Sequence, residues 1–403
     1  MSPKVQAFAW LRPQRERACQ ICALFLCFAL PLWVLRLARP ATGTLLWQPL
    51  RGYPGDSTVQ QVLIGQGDGL PVYYAVGARG GIYVSVDDGQ RWARAVQGLP
   101  KGPWGEVKIV DLALVPADPT VAYAAVASPG AVLRPMLYWT ADLGATWKPR
   151  ASLAQERLQA LAFGPGGEVL YAVTNYAVLR GAEADESLTP QERFQRGLDN
   201  LRWVTLYVFE PADRSASLLV SEGAVLSWPG AVRGPVYTLY LGTRRGLHIL
   251  MDGREAQPVV VPAGGDAETR YVRQEAEIRA LARAAQDTAR LYVATERGIF
   301  ATSDGGLHWQ ALAHPFRGED VRALLTDPQQ KDTLYVGLAG QGVFLSQDAG
   351  ATWRPLGQGL ERVSVLSLAL GPGMPRVLLA GTTAGLWRLE LPDAGMPPPA
   401  SHG

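Results

Sequence analysis

Four octapeptides share the pattern Ser/Thr-x-Asp-x-Gly-x-x-Trp, and their acidic residue is the first group in this chain that could do chemistry. A carboxylate in a loop can bind Ca²⁺, but Ca²⁺ needs more oxygen ligands than one carboxylate supplies. Asp and Ser/Thr side chains also accept backbone N–H bonds in tight turns, Gly supplies a positive φ, and Trp buries a large ring. We therefore predict four structural hairpin turns rather than catalytic or metal sites. Their pattern residues are Ser85, Asp87, Gly89, Trp92; Thr140, Asp142, Gly144, Trp147; Thr302, Asp304, Gly306, Trp309; and Ser346, Asp348, Gly350, Trp353.

Other residues of chemical interest do not form a recognisable constellation. The four histidines are scattered and show no metal-ligand spacing. A glycosidase needs two carboxylates on one face, and nothing in the spacing of the candidates Glu296, Glu319 and Asp320 pairs them. The chain has a net charge of +2, too little for the basic footprint of general nucleic-acid binding. We predict no catalytic residue, no metal, no cofactor and no nucleic-acid partner.

Residues 18–36 form an apolar stretch that predicts a membrane anchor. Residues 18–35 carry no charge, and as a helix they would rise about 27 Å, close to the thickness of a bilayer's hydrocarbon core. Arg12, Arg15 and Arg17 precede the stretch, so residues 1–17 are expected in the cytoplasm and everything after the anchor outside it. The alternative is a cleaved signal peptide, for which only the small residues 41–43 resemble a cleavage site.

Internal repeats indicate the fold of the remaining chain. Residues 321–360 align with residues 278–316 as four short strands each, and this register overrules the helical propensity of residues 274–286. The last repeat, 363–391, stops after its third strand, and residues 45–52 resemble the missing fourth strand. After the linker 37–43, residues 44–391 are therefore predicted to form an all-β, seven-bladed propeller closed by both chain ends, with six blades as the alternative. A polar insert at 181–200 interrupts it, and the Pro-rich tail 392–403 is expected to be disordered.

These octapeptides resemble the Asp-box, or bacterial neuraminidase, repeat of sialidases, sortilins, xyloglucanases and photosystem II assembly factors. In length and in a single ring, the chain is most similar to propellers of the photosystem II assembly-factor type. That resemblance implies an extracytoplasmic protein that holds membrane-protein subunits, with an arginine patch on one face. The chain departs from them in its uncleaved-looking anchor and in its insert at 181–200. A sialidase would show an Arg-Ile-Pro element before the first box, and this chain has none.

The propeller assignment predicts which residues share a face. The octapeptide hairpins join third and fourth strands, so the turns between second and third strands share the opposite, upper face with the connections between blades. Arginine binds carboxylates through a planar, bidentate fork, so a rim of arginines there is expected to hold carboxylate-rich segments. Four arginines are predicted to lie in these turns: Arg79, Arg244, Arg245 and Arg297. Arg134 and Arg180 lie near equivalent turns, and Arg273, Arg317 and Arg362 lie in connections, with Trp104 nearby. The alternative is a solvated rim without a binding role, since the chain has 33 Arg against 5 Lys.

The sequence thus favours a membrane-anchored, extracytoplasmic platform without catalytic activity, which assists or belongs to a membrane protein complex. Its expected partners are a membrane protein at the upper face and the lipid bilayer at residues 18–36. The alternative is a glycoside hydrolase or a glycan-binding propeller, because sialidases and some glucanases use the same repeat.

Overall fold

The structure, a computed structural model, describes the part of the chain that forms the sheets. Its regular elements are all β-strands, which build seven four-stranded antiparallel sheets and one two-stranded hairpin within that part. The described residues are 45–55, 58–66, 71–102, 105–116, 118–127, 137–150, 157–164, 167, 169–174, 177–183, 201–208, 216–222, 237–243, 246–251, 257–259, 277–295, 298–316, 321–371, 373 and 376–392.

The first three sheets after the N-terminal strand β1 (Gln48–Pro49) follow the chain in order. Their short strands are bounded by Gly, Pro and Asp, which end extended runs. Sheet 1 contains β2 (Val59–Gly65), β3 (Val72–Gly77), β4 (Ile82–Ser85) and β5 (Ala93–Arg94). A hairpin of β6 (Lys101–Gly102) and β7 (Gly105–Glu106) leads to sheet 2, with β8 (Ile109–Val115), β9 (Asp118–Val126), β10 (Leu137–Thr140) and β11 (Lys148–Arg150). Sheet 3 contains β12 (Leu158–Phe163), β13 (Val169–Thr174), β14 (Ala177–Glu183) and β15 (Leu201–Val208).

The remaining sheets repeat this order, except that the last takes its outer strand from the N-terminus. Sheet 4 contains β16 (Ala216–Glu222), β17 (Tyr237–Thr243), β18 (Gly246–Met251) and β19 (Gln257–Val259). Sheet 5 contains β20 (Ile278–Arg283), β21 (Leu291–Thr295), β22 (Gly298–Thr302) and β23 (Gln310–Ala311). Sheet 6 contains β24 (Val321–Thr326), β25 (Leu334–Leu338), β26 (Gly342–Ser346) and β27 (Arg354–Pro355). Sheet 7 contains β28 (Val365–Leu370), β29 (Arg376–Thr382), β30 (Gly385–Leu391) and β1.

The sheets pack face to face in a closed ring, which is the architecture of a β-propeller. Each first strand contacts the first strand of the next sheet, and β28 of sheet 7 contacts β2 of sheet 1. Seven hydrophobic clusters fill the seven junctions between neighbouring sheets, including the junction between sheets 7 and 1. Second strands such as β3, β21 and β29 are buried along their whole length, which explains why their sequences are mainly apolar.

The predicted closure by the two chain ends is confirmed. Gln48 pairs with Arg388 and Pro49 pairs with Trp387. Trp47 occupies the position that the octapeptide tryptophan has in other sheets, since its Nε1 donates to the Leu356 carbonyl at 2.7 Å, as Trp147 Nε1 donates to the carbonyl of Ala95 in the preceding sheet at 3.0 Å.

A β-bulge near the start of six first strands lets side chains link neighbouring sheets. At the residue after the bulge, Ser367 Oγ of sheet 7 accepts the Val62 N–H of sheet 1 at 3.1 Å. Asp111 of sheet 2 has the same role, because its Oδ2 accepts the Leu161 N–H of sheet 3 at 2.7 Å. The Oδ1 atom of Asp111 accepts Gln61 Nε2 of sheet 1 at 2.7 Å, so one carboxylate joins three sheets.

Other sequence predictions have mixed outcomes. The strand predicted against helical propensity is confirmed as β20. The polar insert was predicted to begin at residue 181, but β14 continues through Glu183 because Gly181, Ala182 and Glu183 pair with β15. No helix among the described residues is long and apolar enough to span a bilayer. The predicted anchor at 18–36, the linker 37–43 and the tail residues from 393 onward lie outside the described residues.

Candidate functional site

Backbone hydrogen bonds define two sides of the ring. On the turn side, the octapeptide turns bond to the loops between first and second strands, as in Gly305 N–H to Ala289 O and Ala349 N–H to Asp332 O, both at 2.8 Å. On the connection side, the turns between second and third strands bond to the connections between sheets. There, Ala78 N–H donates to Thr58 O, Ala127 N–H to Lys108 O and Thr383 N–H to Ser364 O, at 2.9–3.0 Å. The predicted separation of the two sets of loops is therefore confirmed.

The octapeptide turn of sheet 6 shows what each of its residues does. Ser346 Oγ donates to Asp348 Oδ1 at 2.8 Å and accepts the Gly350 N–H at 2.8 Å. The same Oδ1 accepts the Thr352 N–H at 2.8 Å, and Oδ2 accepts Thr352 Oγ1 at 2.5 Å. Trp353 Nε1 closes the turn by donating to the Gly350 carbonyl at 3.0 Å. Both carboxylate oxygens therefore accept bonds from donors of their own turn, as a structural role requires.

The other three turns repeat this network with one variable partner. Their Ser/Thr-to-Asp bonds measure 2.6–3.0 Å, and their Gly N–H bonds to the Ser/Thr oxygen measure 3.0–3.1 Å. The second Asp oxygen accepts from Arg91, Thr146 or His308 instead of Thr352. Hydrogen bonds from Thr302 and His308 hold the pKa of Asp304 well below its usual value.

The glycine of each octapeptide also permits close packing between sheets. Gly89, Gly144, Gly306 and Gly350 have φ values of +77° to +100°, where residues with a side chain are strained. A Cβ at Gly350 would lie 2.4 Å from Leu312 Cδ1 of sheet 5, and one at Gly144 would lie 2.8 Å from Ala95 Cβ of sheet 1. The octapeptides therefore fasten neighbouring sheets as well as their own hairpins.

Acidic groups on the turn side lie next to basic partners of the same side. Arg91 pairs with Asp87 within one turn, and Arg290 of sheet 5 bonds Asp332 of sheet 6 at 2.7 Å. Deeper in, the buried Asp327 of sheet 6 pairs with the buried Arg376 of sheet 7 and accepts the Tyr335 hydroxyl at 3.0 Å. These ion pairs tie sheets together, so this side carries structural chemistry.

Short turns join second and third strands on the connection side. Thr295 pairs with Gly298 across β21 and β22, and Thr295 Oγ1 donates to the Gly298 carbonyl at 3.2 Å. Thr382 Oγ1 donates to the Gly385 carbonyl in the same way at 2.8 Å. Gly298 and Gly385, which directly follow the two central residues of their turns, have positive φ, which glycine adopts without steric cost. Because Thr295 pairs with Gly298 and Thr382 pairs with Gly385, only two residues lie between the paired strands in each turn.

Predicted rim residues are placed as follows. Arg79 lies in the β3–β4 turn on the connection side and is exposed, and Arg362 is exposed in the connection before β28. Arg180, expected near such a turn, instead lies within β14 and is 2% exposed, because it pairs with Tyr171 of β13 and Val204 of β15. Arg134, Arg244, Arg245, Arg273, Arg297, Arg317 and Trp104 lie outside the described residues, as do the carboxylate candidates Glu296, Glu319 and Asp320.

Three basic residues of the connection side were missed by sequence reasoning. Arg279 and Arg322 are the second residues of β20 and β24, and Lys108 directly precedes β8. Arg322 and Lys108 are exposed, and Arg279 is half-buried at 3.8 Å from Glu277. A signal for these arginines was present in the sequence. Strands β20 and β24 both begin with Val/Ile-Arg-Ala-Leu, and the arginine interrupts the apolar run at the same position in each.

Among the described residues, no group of three or more His, Cys, Asp or Glu side chains could hold a metal ion. Partial burial raises the pKa of the Asp111 carboxyl group to about 6, although three hydrogen bonds to the carboxylate act in the opposite direction. Its hydrogen bonds join sheets 1, 2 and 3 at their first strands. The exposed basic groups of the connection side are therefore the strongest candidate for a binding surface.

Comparison with solved structures supports the fold assignment. The chain is similar to YCF48 bound to a D1 peptide, with a TM-score of 0.59 and 14% identity over 88% of this chain and 99% of that one. YCF48 from Cyanidioschyzon merolae gives a TM-score of 0.57 and 14% identity over 87% of this chain and 99% of that one. The GH74 xyloglucanase from Xanthomonas campestris gives 0.58 and 16% identity over 85% of this chain but only 53% of that one.

No protein-family model and no curated protein sequence matches the chain. At 14–16% identity, the structural likeness establishes the β-propeller fold alone.

Proposed function

We propose that this protein is a membrane-anchored, extracytoplasmic propeller that binds an acidic segment of a membrane protein or complex through its connection side. It acts without catalysis, as an assembly factor or an accessory subunit. The observation that carries the proposal is that four basic residues, Arg79, Lys108, Arg322 and Arg362, are all exposed on the connection side.

The geometry suits recognition of an extended carboxylate-rich segment. A closed ring holds its loops on a rigid support, so little ordering cost accompanies binding. Arginines spread over several sheets match several carboxylates at once, and the guanidinium fork bonds each of them in a fixed orientation. The described connection side also contains acids, Glu277 and Glu361, and the latter accepts the Gly359 N–H at 2.8 Å. The four exposed basic residues named above outnumber these two acids.

Membrane attachment is the second part of the proposal. Residues 18–36 anchor the protein, Arg12, Arg15 and Arg17 keep its N-terminus in the cytoplasm, and the propeller lies outside. A protein with the same fold, YCF48, is described in complex with a D1 peptide. That complex is a precedent for peptide capture by this kind of ring.

Peptide binding tests the proposal. The intact protein in detergent is titrated with a Glu-rich peptide and with the same peptide carrying Gln in place of Glu, at low and high salt. We expect binding of the Glu peptide only, weakened by salt, and weakened at least about tenfold by the Arg79→Ala, Arg245→Ala and Arg297→Ala triple variant. Equal binding of the Gln peptide, or unchanged affinity in the triple variant, would contradict the proposal.

A glycosidase is the second candidate, and the fold likeness to GH74 enzymes is what favours it. This chain covers 53% and 46% of the two GH74 chains, so it corresponds to about half of each. Incubation of the pure protein with xyloglucan and with a sialoside decides between the two functions. Release of reducing sugar or sialic acid that is lost in Glu296→Gln or Asp320→Asn would replace the binding proposal.

A further inference from the structure

We infer that the protein stands on the membrane with its turn side toward the bilayer and its connection side directed away. This inference rests on the membrane anchor of the proposed function and adds the orientation that the fold imposes on it. It also restricts the partner, because the binding surface then lies at the far side of the ring from the lipid.

The positions of the two chain ends carry the inference. Gln48 pairs with Arg388 and Trp47 takes the octapeptide tryptophan position, so Leu45 and Leu46 stand where the other sheets have the end of their turn. Leu391 pairs with Arg376 at the start of β29, just as Ser346 pairs with Leu334 at the start of β25. The N-terminal and C-terminal segments therefore leave the ring on the turn side, at the position in sheet 7 that an octapeptide takes in sheets 1, 2, 5 and 6.

The tether is short compared with the ring. Eight residues, 37–44, separate the predicted anchor from Leu45. They reach at most about 28 Å when fully extended, and a flexible chain of that length spans about 15 Å on average. The first strands have six or seven residues, so they are about 20–23 Å long. Turning the connection side onto the bilayer would stretch the tether almost completely.

This orientation defines the partner more closely. A segment that binds Arg79, Arg322 and Arg362 has to extend clear of the bilayer by at least the height of the ring. An acidic extramembrane tail meets that condition, whereas a charged patch at the membrane surface does not. The inference therefore assigns the connection side to a tail of a membrane protein.

Two labels on one sheet test the orientation. Ala351 is exposed in the octapeptide turn of sheet 6, and Gln341 is exposed in the β25–β26 turn of the same sheet on the other side. The three native cysteines, Cys19, Cys22 and Cys27, are replaced by alanine. Ala351→Cys or Gln341→Cys then carries a fluorescent donor in the full chain. The protein is reconstituted in phosphatidylcholine vesicles with acceptor dye on the headgroups, and flotation reports membrane attachment.

We expect clearly stronger energy transfer from position 351 than from position 341, since β26 separates the two sites by about 17 Å. A Gly/Ser insert of about twice the linker length, placed after Gly43, should reduce the difference. Equal transfer, or stronger transfer from position 341, would overturn the orientation while leaving the proposed function intact. Failure to float with vesicles would overturn both the anchor and the orientation. Correct orientation without peptide binding would overturn the binding function alone.

Discussion

The two sides of the ring use charged and polar residues in different ways. On the turn side, Asp348 accepts bonds from its own turn, Arg290 bonds Asp332 across sheets, and Asp327 pairs with Arg376 in the interior. On the connection side, basic side chains such as Arg79 and Arg322 reach solvent. The difference teaches that substitutions on the turn side should cost stability, whereas substitutions on the connection side should cost binding.

Trp47→Ala should have the largest effect on the turn side. Trp47 is 2% exposed, packs between sheets 6 and 7, and donates to the Leu356 carbonyl. Removing a buried Trp costs about 3–5 kcal/mol, and the carbonyl loses its partner as well. Denaturant unfolding measures the loss. The neighbouring Leu46→Ala is the control and should change stability little, because Leu46 is 56% exposed. Similar stability of the two variants would mean that Trp47 does not close the ring.

A pair of glycine substitutions compares the two sides within sheet 6. Gly350 and Gly340 both have positive φ, at +92° and +78°, so alanine costs about 1–2 kcal/mol of backbone strain at each. A Cβ at Gly350 also meets Leu312 at 2.4 Å, whereas a Cβ at Gly340 meets nothing within 4 Å. Gly350→Ala should therefore lose about 1–3 kcal/mol more than Gly340→Ala in thermal or chemical unfolding. Equal losses of unfolding free energy would show that Gly350 does not pack closely against Leu312 of sheet 5.

A smaller effect should appear in the pH dependence of stability. Burial raises the pKa of Asp111 to about 6, from 3.8 in the unfolded chain. The folded state thus favours the protonated acid, so the contribution of Asp111 is greatest below pH 3.8 and declines as pH rises through 6. The decline amounts to about 3 kcal/mol at most.

Asp111→Asn isolates that contribution from the other carboxylates. Unfolding free energies of the two proteins are compared across pH 4–7, where the difference between them should change in the stated direction. If the unfolding free energies of the two proteins changed in parallel with pH, Asp111 would not titrate in this range. Ser367 takes the position of Asp111 at the junction between sheets 7 and 1 and has no carboxyl group. Ser367→Ala should therefore leave the pH dependence of the unfolding free energy unchanged.

Much of the fold could be predicted because the chain repeats itself. The octapeptides fixed the hairpins between third and fourth strands, and alignment overruled the helical propensity of β20. The incomplete last repeat and residues 45–52 predicted the closure that the pairing of Gln48 with Arg388 confirms. Each of these inferences rests on residues that must satisfy a local turn or an apolar register.

The site was harder to predict because it depends on where strands end. The sequence pattern places Arg180 near a turn, but it lies inside β14, pairs with strands on both sides and is buried. Arg279 and Arg322 were read only as strand residues, although they start first strands on the connection side. The role of Asp111 was also missed, since its partners Gln61 and Leu161 are each 50 residues away in sequence. Contacts between residues of different repeats leave no recognisable pattern in the local sequence.

Affinity capture from solubilised membranes tests the contrast between the sides most directly. Wild type is compared with the Arg79→Ala, Arg245→Ala, Arg297→Ala triple variant and with a turn-side control, Lys331→Ala, whose side chain is exposed in the fold. The account predicts that membrane-protein partners co-purify with wild type and the control but are lost from the triple variant, while all three proteins unfold at similar denaturant concentrations. Full partner recovery by the triple variant, or loss of partners only in the turn-side control, would contradict it.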